Sequence, residues 1–301
     1  MKKLLRLVVF LVLFFIAIVQ IGHKDYINKF FSEIKWEEFN FGVPSMSNTE
    51  TGETLNVHFI DVGQGDCSFI ELPNGENMLI DAGEKTEAEK VIGYIKQLGA
   101  EKIDYLVGTH PHSDHIGGLA KVINEFEIGK MYMPKASNST RTFENLLDAI
   151  EENNVDVYTA RAGVLIYEDE KIKIQIIAPV SSGYESLNNY SAVIKIDYAQ
   201  TSFLFMGDAE QLSENEIEAD VDCDVLKVGH HGSYTSSSKQ FLRRARPELS
   251  IISVGKDNDY GHPSKSVLDR LGGIGTEILR TDKSGDIVIQ SDGTNIFVKE
   301  D

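Results

Sequence analysis

An apolar run, Asp104–Thr109, leads directly into His110-Pro111-His112-Ser113-Asp114-His115, and this hexapeptide restricts the fold more than any other stretch of the chain. Three of the eight histidines fall within these six residues. In extended chain, residues two apart point to the same side. His110 and His112 can therefore grip one cation together. Asp114 and His115 follow as the chain turns and can reach a second cation. Imidazole combined with carboxylate suits zinc, manganese or iron. A surface loop rich in histidine by accident is the competing reading, and it fits poorly at the end of a buried strand. Gly117 and Gly118 let the backbone pack closely behind the loop.

Around this point the pattern alternates between strands and helices. Strands are expected at 59–62, 67–72, 77–81, 104–109 and 130–134. Helices are expected at 84–98, 116–126 and 141–152. The second half has the same texture: strand 171–178, a hairpin of 192–198 with 202–206, helix 209–219, strand 224–229, a helix from Ser237, strand 249–254, a helix from Ser264 and a terminal hairpin through Ser291-Asp292-Gly293. Two β-rich halves with intervening helices predict an α/β protein in which two sheets face each other, covered by helices outside. Cys67 and Cys223 form no CxxC pair, so a cysteine zinc site is excluded and a disulfide framework is unsupported.

Two further strand ends carry ligand chemistry. Phe205-Met206-Gly207-Asp208 places a carboxylate just past a buried run, and a carboxylate can face two cations at once, which imidazole cannot. Asp224–Gly229 ends on His230-His231. One of these two should bind metal, and the other could bind substrate or give a proton to the leaving group.

Taken in order, Ile60-Asp61-Val62-Gly63-Gln64-Gly65-Asp66, Leu79-Ile80-Asp81-Ala82-Gly83, His110 to Gly118, Gly207-Asp208, Asp224 to Ser233 and Tyr260-Gly261-His262-Pro263 resemble the metallo-β-lactamase superfamily. Within it, their wording is similar to the hydrolase domain of the ComEC competence proteins and its stand-alone relatives. The resemblance covers about residues 55–300. It implies an αβ/βα four-layer sandwich of two mixed sheets flanked by helices, with two divalent metal ions at one edge, zinc first and manganese as the alternative. His110 and His112 would hold one metal. Asp114, His115 and His231, in preference to His230, would hold the other, with Asp208 as the bridge. Asp81 would orient ligands from behind. No histidine lies between His115 and His230, where many members of the superfamily place another ligand. Asn188-Asn189-Tyr190-Ser191 occupies that stretch, and Asn189 would approach the metal weakly or through water.

The implied chemistry is metal-assisted hydrolysis, in which bound cations lower the pKa of water from about 15.7 toward 7. Asp114, Asp208, His230 and His262 are the catalytic candidates. Lys227, Ser233, Tyr234 and His262 are candidates to hold or protonate the departing group. Lys227 could instead be a structural surface residue, and His262 could simply fix the turn before Pro263. The leading expectation is a phosphodiesterase or nuclease acting outside the membrane on a phosphoester, DNA included. The alternatives are an esterase acting on small phosphoesters or cell-wall polymer substituents, and a non-catalytic metal-containing binding module. Nothing in the sequence points to a protein partner.

The N-terminus supplies the location. Lys2, Lys3 and Arg6 precede an apolar run from Leu7 to Gly22, which reads as an uncleaved signal anchor over 1–22 or, if cleaved, a signal peptide. Positive charge stays cytoplasmic, which puts the remaining chain outside. Residues 23–54 read as a linker and 55–301 as the hydrolase domain. Residues 1–30 carry five Lys/Arg and one Asp, leaving 24 basic and 46 acidic side chains, a net of −22, for the remainder. That balance disfavours a broad electrostatic track for duplex nucleic acid and leaves room for a local basic groove.

Overall fold

The computed structural model describes residues 54–299. The expected anchor and nearly all of the expected linker lie outside the described residues. Among the described residues, no helix is long and apolar enough to cross a membrane.

The chain builds two facing sheets. The first begins with β1 (Leu55–Phe59), β2 (Ser68–Glu71) and β3 (Asn77–Ile80), then α1 (Ala88–Gln97) and β4 (Lys102–Val107). Two short helices, α2 (Ser113–Ile116) and α3 (Leu119–Glu125), lead to β5 (Glu127–Met133), α4 (Arg141–Glu152) and β6 (Val157–Thr159). The second sheet takes β7 (Val164–Glu168), β8 (Ile172–Ala178), β9 (Val193–Tyr198) and β10 (Thr201–Phe205), then α5 (Gln211–Glu216), β11 (Val225–Lys227), α6 (Lys239–Ala245), β12 (Leu249–Ile252), α7 (Lys265–Ile274) and β13 (Glu277–Arg280). After α8 (Thr281–Ser284), the hairpin β14 (Ile287–Ser291) and β15 (Ile296–Lys299) returns to the first sheet.

The strand orders are β15-β14-β1-β2-β3-β4-β5-β6 and β13-β12-β11-β10-β9-β8-β7. Both sheets are mixed: β3 to β6 and β10 to β13 run parallel, and the other pairs run antiparallel.

Side-chain alternation explains the layering. On β3, Met78 and Ile80 face the core between the sheets, while Leu79 joins the outer core under α1, α3 and α4. On β10, Phe203 and Phe205 point inward, while Leu204 packs outward with Met206 under α6 and α7. The two sheets meet through contacts such as Phe59 on Phe205, ring centroids 5.9 Å apart. The result is the expected four-layer αβ/βα sandwich. Helix starts follow the capping rule: the Thr140, Ser238 and Ser264 side chains accept from the backbone N–H of Phe143, Phe241 and Val267.

Several boundaries differ from expectation. The first strand is Leu55–Phe59, and from Ile60 to Cys67 the chain is a loop rather than strand. Gly65 explains this, with φ of +151° and a position where a Cβ would lie 2.4 Å from the Asp114 carbonyl oxygen. The loop has been drawn onto the ligand segment. The expected helix 116–126 is instead two pieces broken at Gly117-Gly118, where a Cβ on Gly118 would lie 2.4 Å from the Ala82 carbonyl oxygen. β6, β7 and β13 were not anticipated; all three lie at sheet edges and are only partly buried, so their periodic apolar signal is weak. Cys67 and Cys223 are buried free thiols.

Candidate metal centre

The ends of β4, β10 and β11 converge at one edge of the sandwich. β4 delivers Thr109 and His110, both fully buried, and α2 carries Asp114 and His115. The ligand loop is fastened by Asn138, whose amide donates to Pro111 O at 2.8 Å, and by Ser113, which donates to Glu84 at 2.7 Å. From the second sheet comes Asp208, whose N–H donates to the Ser191 hydroxyl at 3.0 Å. His230 and His231 both sit in the left-handed region, with φ of 50° and 51°. Two consecutive non-glycine residues there are unusual. The turn is fixed by His230 N–H donating to Gly207 O and Ser233 N–H donating to His230 O.

Four donor atoms from these elements surround one point. His115 Nε2 lies 3.2 Å from Asp208 Oδ1 and 3.8 Å from Asp114 Oδ2, while His231 Nε2 lies 3.3 Å from Asp114 Oδ2 and 3.6 Å from Asp208 Oδ1. Donors about 2.0–2.2 Å from a zinc-sized cation, at the corners of a tetrahedron, stand about 3.3–3.6 Å apart. His115 Nε2, His231 Nε2 and Asp208 Oδ1 are also buried without a hydrogen-bond partner. Buried polar atoms are rarely left so, and three converging on one point fit a cation.

A second set shares the other oxygen of Asp208. His110 Nε2 lies 3.7 Å from Asp208 Oδ2 and 2.9 Å from His112 Nδ1, and His230 Nε2 lies 3.6 Å from the same Oδ2 from another side. Asp208 thus presents one oxygen to each set.

Hydrogen bonds from behind aim these rings. Asp81, itself at φ 59°, accepts from Thr109 N–H and the Thr109 hydroxyl at 2.8 and 2.6 Å, and meets His115 Nδ1 at 2.7 Å. His115 Nε2 is thereby turned to the centre, the place expected for Asp81. His231 is held on its Nδ1 side by Ser253 O at 3.0 Å and Asp66 Oδ1 at 3.2 Å.

The electrostatics are those of a carboxylate cluster in need of positive charge. Burial alone would disfavour protonation of His115, but Asp208, Asp114 and Asp81 outweigh it and hold its pKa well above the ordinary value. His231 is pushed up to about 10, with Asp208, Asp66 and Asp114 overcoming burial. Burial would raise the Asp208 and Asp114 carboxyls, yet the imidazoles hold both well below their usual range. His110, by contrast, is driven well below its ordinary value by burial and by His115, so it is a neutral donor.

The other anticipated residues divide. Lys227 is buried rather than on the surface, and its ammonium donates to Asp66 Oδ2 at 2.7 Å and Val228 O at 3.0 Å. Ser233 is buried, with its hydroxyl on that of Thr235 at 3.1 Å. Tyr234 is exposed at the rim. His262 stands beside the site, its ring 5.5 Å from that of His230, and Asn258 holds its backbone at both N–H and carbonyl. Asn189 departs from expectation. Its amide donates to Glu210 at 3.0 Å, and its carbonyl accepts from Glu210 N–H and Ser213 N–H, both at 3.3 Å. Its polar atoms are therefore engaged away from the centre. Asn188 faces His230 instead, at 3.4 Å, with its own carbonyl buried and unpartnered. Sequence reasoning missed the role of Asp66, which touches Lys227, His231 and, at 4.0 Å, His115. The available signal was a lysine inside a run otherwise read as buried strand.

Two facing mixed sheets with a His/Asp cluster across their joined edge define a metal-dependent hydrolase fold. The profile of the Metallo-beta-lactamase superfamily matches residues 60–256, and the chain belongs to that superfamily. It is 32% identical to ComE operon protein 3 of Bacillus subtilis over 251 residues, 77% of this chain and 32% of that protein. It is 29% identical to Recombination protein 2 of Haemophilus influenzae over 240 residues, 78% of this chain and 28% of that protein. The chain therefore spans about a third of the length of these relatives. In fold it is similar to the metallo-beta-lactamase fold protein YhfI from Bacillus subtilis, with a TM-score of 0.51 at 12% identity, covering 79% of this chain and 100% of that one.

Proposed function

We propose that the protein is a phosphodiesterase, with nucleic acid as its substrate class, that works through two divalent cations. The observation that carries this reading is the pair of donor sets sharing Asp208, with three buried donor atoms of the His115–His231 set unpartnered. His110, His112 and Asp208 would hold one cation, and Asp114, His115, Asp208 and His231 the other. Bound there, the cations would supply Lewis acidity toward a phosphoryl oxygen and a lowered pKa for water.

The residues divide the remaining work. Asp81 fixes the tautomer of His115, and Ser253 with Asp66 fixes that of His231. His230 and His262 stand at the mouth. His262 is lowered to about 4 by burial and by His230 and His231, so at neutral pH it contributes hydrogen bonds to a bound group rather than charge. With His230 left at the mouth, the His110–His112 set has two imidazoles and one carboxylate, and manganese stands beside zinc as the metal. The name of one relative, a recombination protein, supports nucleic acid over a wall polymer. The basic-then-apolar N-terminus supports a catalytic domain tethered outside the membrane.

The test uses purified protein with zinc or manganese on bis-p-nitrophenyl phosphate, single-stranded DNA and a β-lactam. Cleavage of the diester and of DNA is expected, with the β-lactam intact. Cleavage of the diester without DNA would move the substrate to small phosphoesters. No metal uptake would leave a non-catalytic module.

A further inference from the structure

An open groove of about 960 Å³ lies between α6 and α7, lined in part by Gln211, Tyr234, Lys239, Arg243, Asp269 and Arg270. It is joined to the centre by short links. Thr235 Oγ1 lies 3.2 Å from His230 Nδ1, and the Thr235 carbonyl accepts from Gln211 N–H at 2.9 Å. Tyr234, the residue between Ser233 and Thr235, is 73% exposed although its ring is large and apolar.

The charge of the groove runs against that of the chain, which has 47 acidic and 29 basic side chains. Lys239 and Arg243 lie four apart on α6, so they share a face with Cβ atoms about 5–6 Å apart. Both are exposed, and neither forms an ion pair among the described residues. Arg270 comes from α7 and donates to Ser266 O and Tyr234 O, with the buried Glu214 carboxylate as its charged neighbour. The one carboxylate in the lining, Asp269, is paired with Lys265 at 2.7 Å. Three cations beside an exposed ring provide both parts of a single-strand site, with the cations tracking the backbone and a π-face for a base to stack on. A second exposed ring, Tyr260, lies against His262 with centroids 5.8 Å apart.

We infer that this groove holds the single strand of a nucleic acid next to the phosphate being cleaved, with Lys239, Arg243 and Arg270 on its phosphates and Tyr234 against a base. The inference rests on the phosphodiesterase reading, but its test is a binding measurement. The full chain is mixed with fluorescein-labelled oligothymidylate in EDTA, and anisotropy is followed from 50 to about 200 mM salt, where phosphate contacts weaken steeply.

Lys239→Glu with Arg243→Glu should weaken binding at least tenfold and lower the salt slope by about 1.4, two contacts at about 0.7 each. Metal-dependent turnover of bis-p-nitrophenyl phosphate should be unchanged in that variant. Tyr234→Ala should weaken binding about 5- to 150-fold, the loss of one stacked base. Binding by the double variant within twofold of the parent, at an unchanged slope, overturns the inference. So does inorganic polyphosphate competing as well as the oligonucleotide while Tyr234→Ala binds normally, which would mark a site for base-free polyanions. Failure of the parent protein to hydrolyse the diester would count against the phosphodiesterase reading alone.

Discussion

Lys227→Met should be among the most damaging single substitutions outside the donor sets. Met fills much of the same space but leaves the Asp66 carboxylate, about 4% exposed, without its 2.7 Å partner. Removing one member of a buried ion pair costs about 3–5 kcal/mol, because the other charge stays buried. His231 Nδ1, 3.2 Å from the other Asp66 oxygen, offsets part of that, so the lower end is expected. For a domain of this size, about 3 kcal/mol corresponds to a fall in Tm of about 6–12 °C. Asp66→Asn removes the orphaned charge, so the double variant should recover at least about 1 kcal/mol relative to the sum of the single changes. The Asp66 carboxyl also sets an acid limit. Burial would raise it, but Lys227 and His231 hold it down at about 2. A depressed carboxyl contributes stability above its unfolded value, near 4, and loses it as pH falls toward 2. That acid loss should begin nearer neutral pH in Lys227→Met. Urea unfolding of the EDTA-treated single and double variants measures all of this. A single-variant loss below about 1 kcal/mol, with additive changes in the double, would refute the Lys227–Asp66–His231 linkage.

Three further outcomes are expected. Asp208→Ala and His112→Ala should each lower diester turnover by about 100-fold or more while retaining the circular dichroism spectrum and a cooperative melt; full activity in either would sink the dinuclear scheme. Because His115 is held protonated and His231 is raised to about 10, metal binding should release protons and affinity should rise from pH 6 to pH 8; calorimetry in buffers of different ionisation enthalpy counts those protons, and zero release would contradict the assignment. Asn189→Ala should cost about 1–2 kcal/mol of stability by orphaning the Glu210 and Ser213 N–H groups, with metal affinity nearly unchanged; a tenfold loss of metal affinity would return Asn189 to the centre.

Much of this was legible in the sequence because the chemistry sits at strand ends. His110 to His115, Gly207-Asp208 and His230-His231 each follow a buried run, and β4, β10 and β11 bring those ends together. Local pattern could not show what depends on packing between the sheets. Lys227 read as a candidate for the departing group because nothing in its own segment reveals Asp66, 161 residues away. Asn189 was expected at the metal and Asn188 faces His230 instead, because neighbours in a single helical turn point in different directions. The strand expected at 59–62 is instead Leu55–Phe59, because Gly65, with φ of +151°, is pressed against the Asp114 carbonyl of the ligand loop.

The central claim is that these residues form a metal-dependent diester-cleaving centre of two cations. Titration of EDTA-stripped protein with manganese or zinc, read as hydrolysis of bis-p-nitrophenyl phosphate, tests it most directly. The expected result is activity that is absent without metal and saturates at two equivalents per chain. Absence of hydrolysis at every metal ratio, in protein that remains folded, would contradict it.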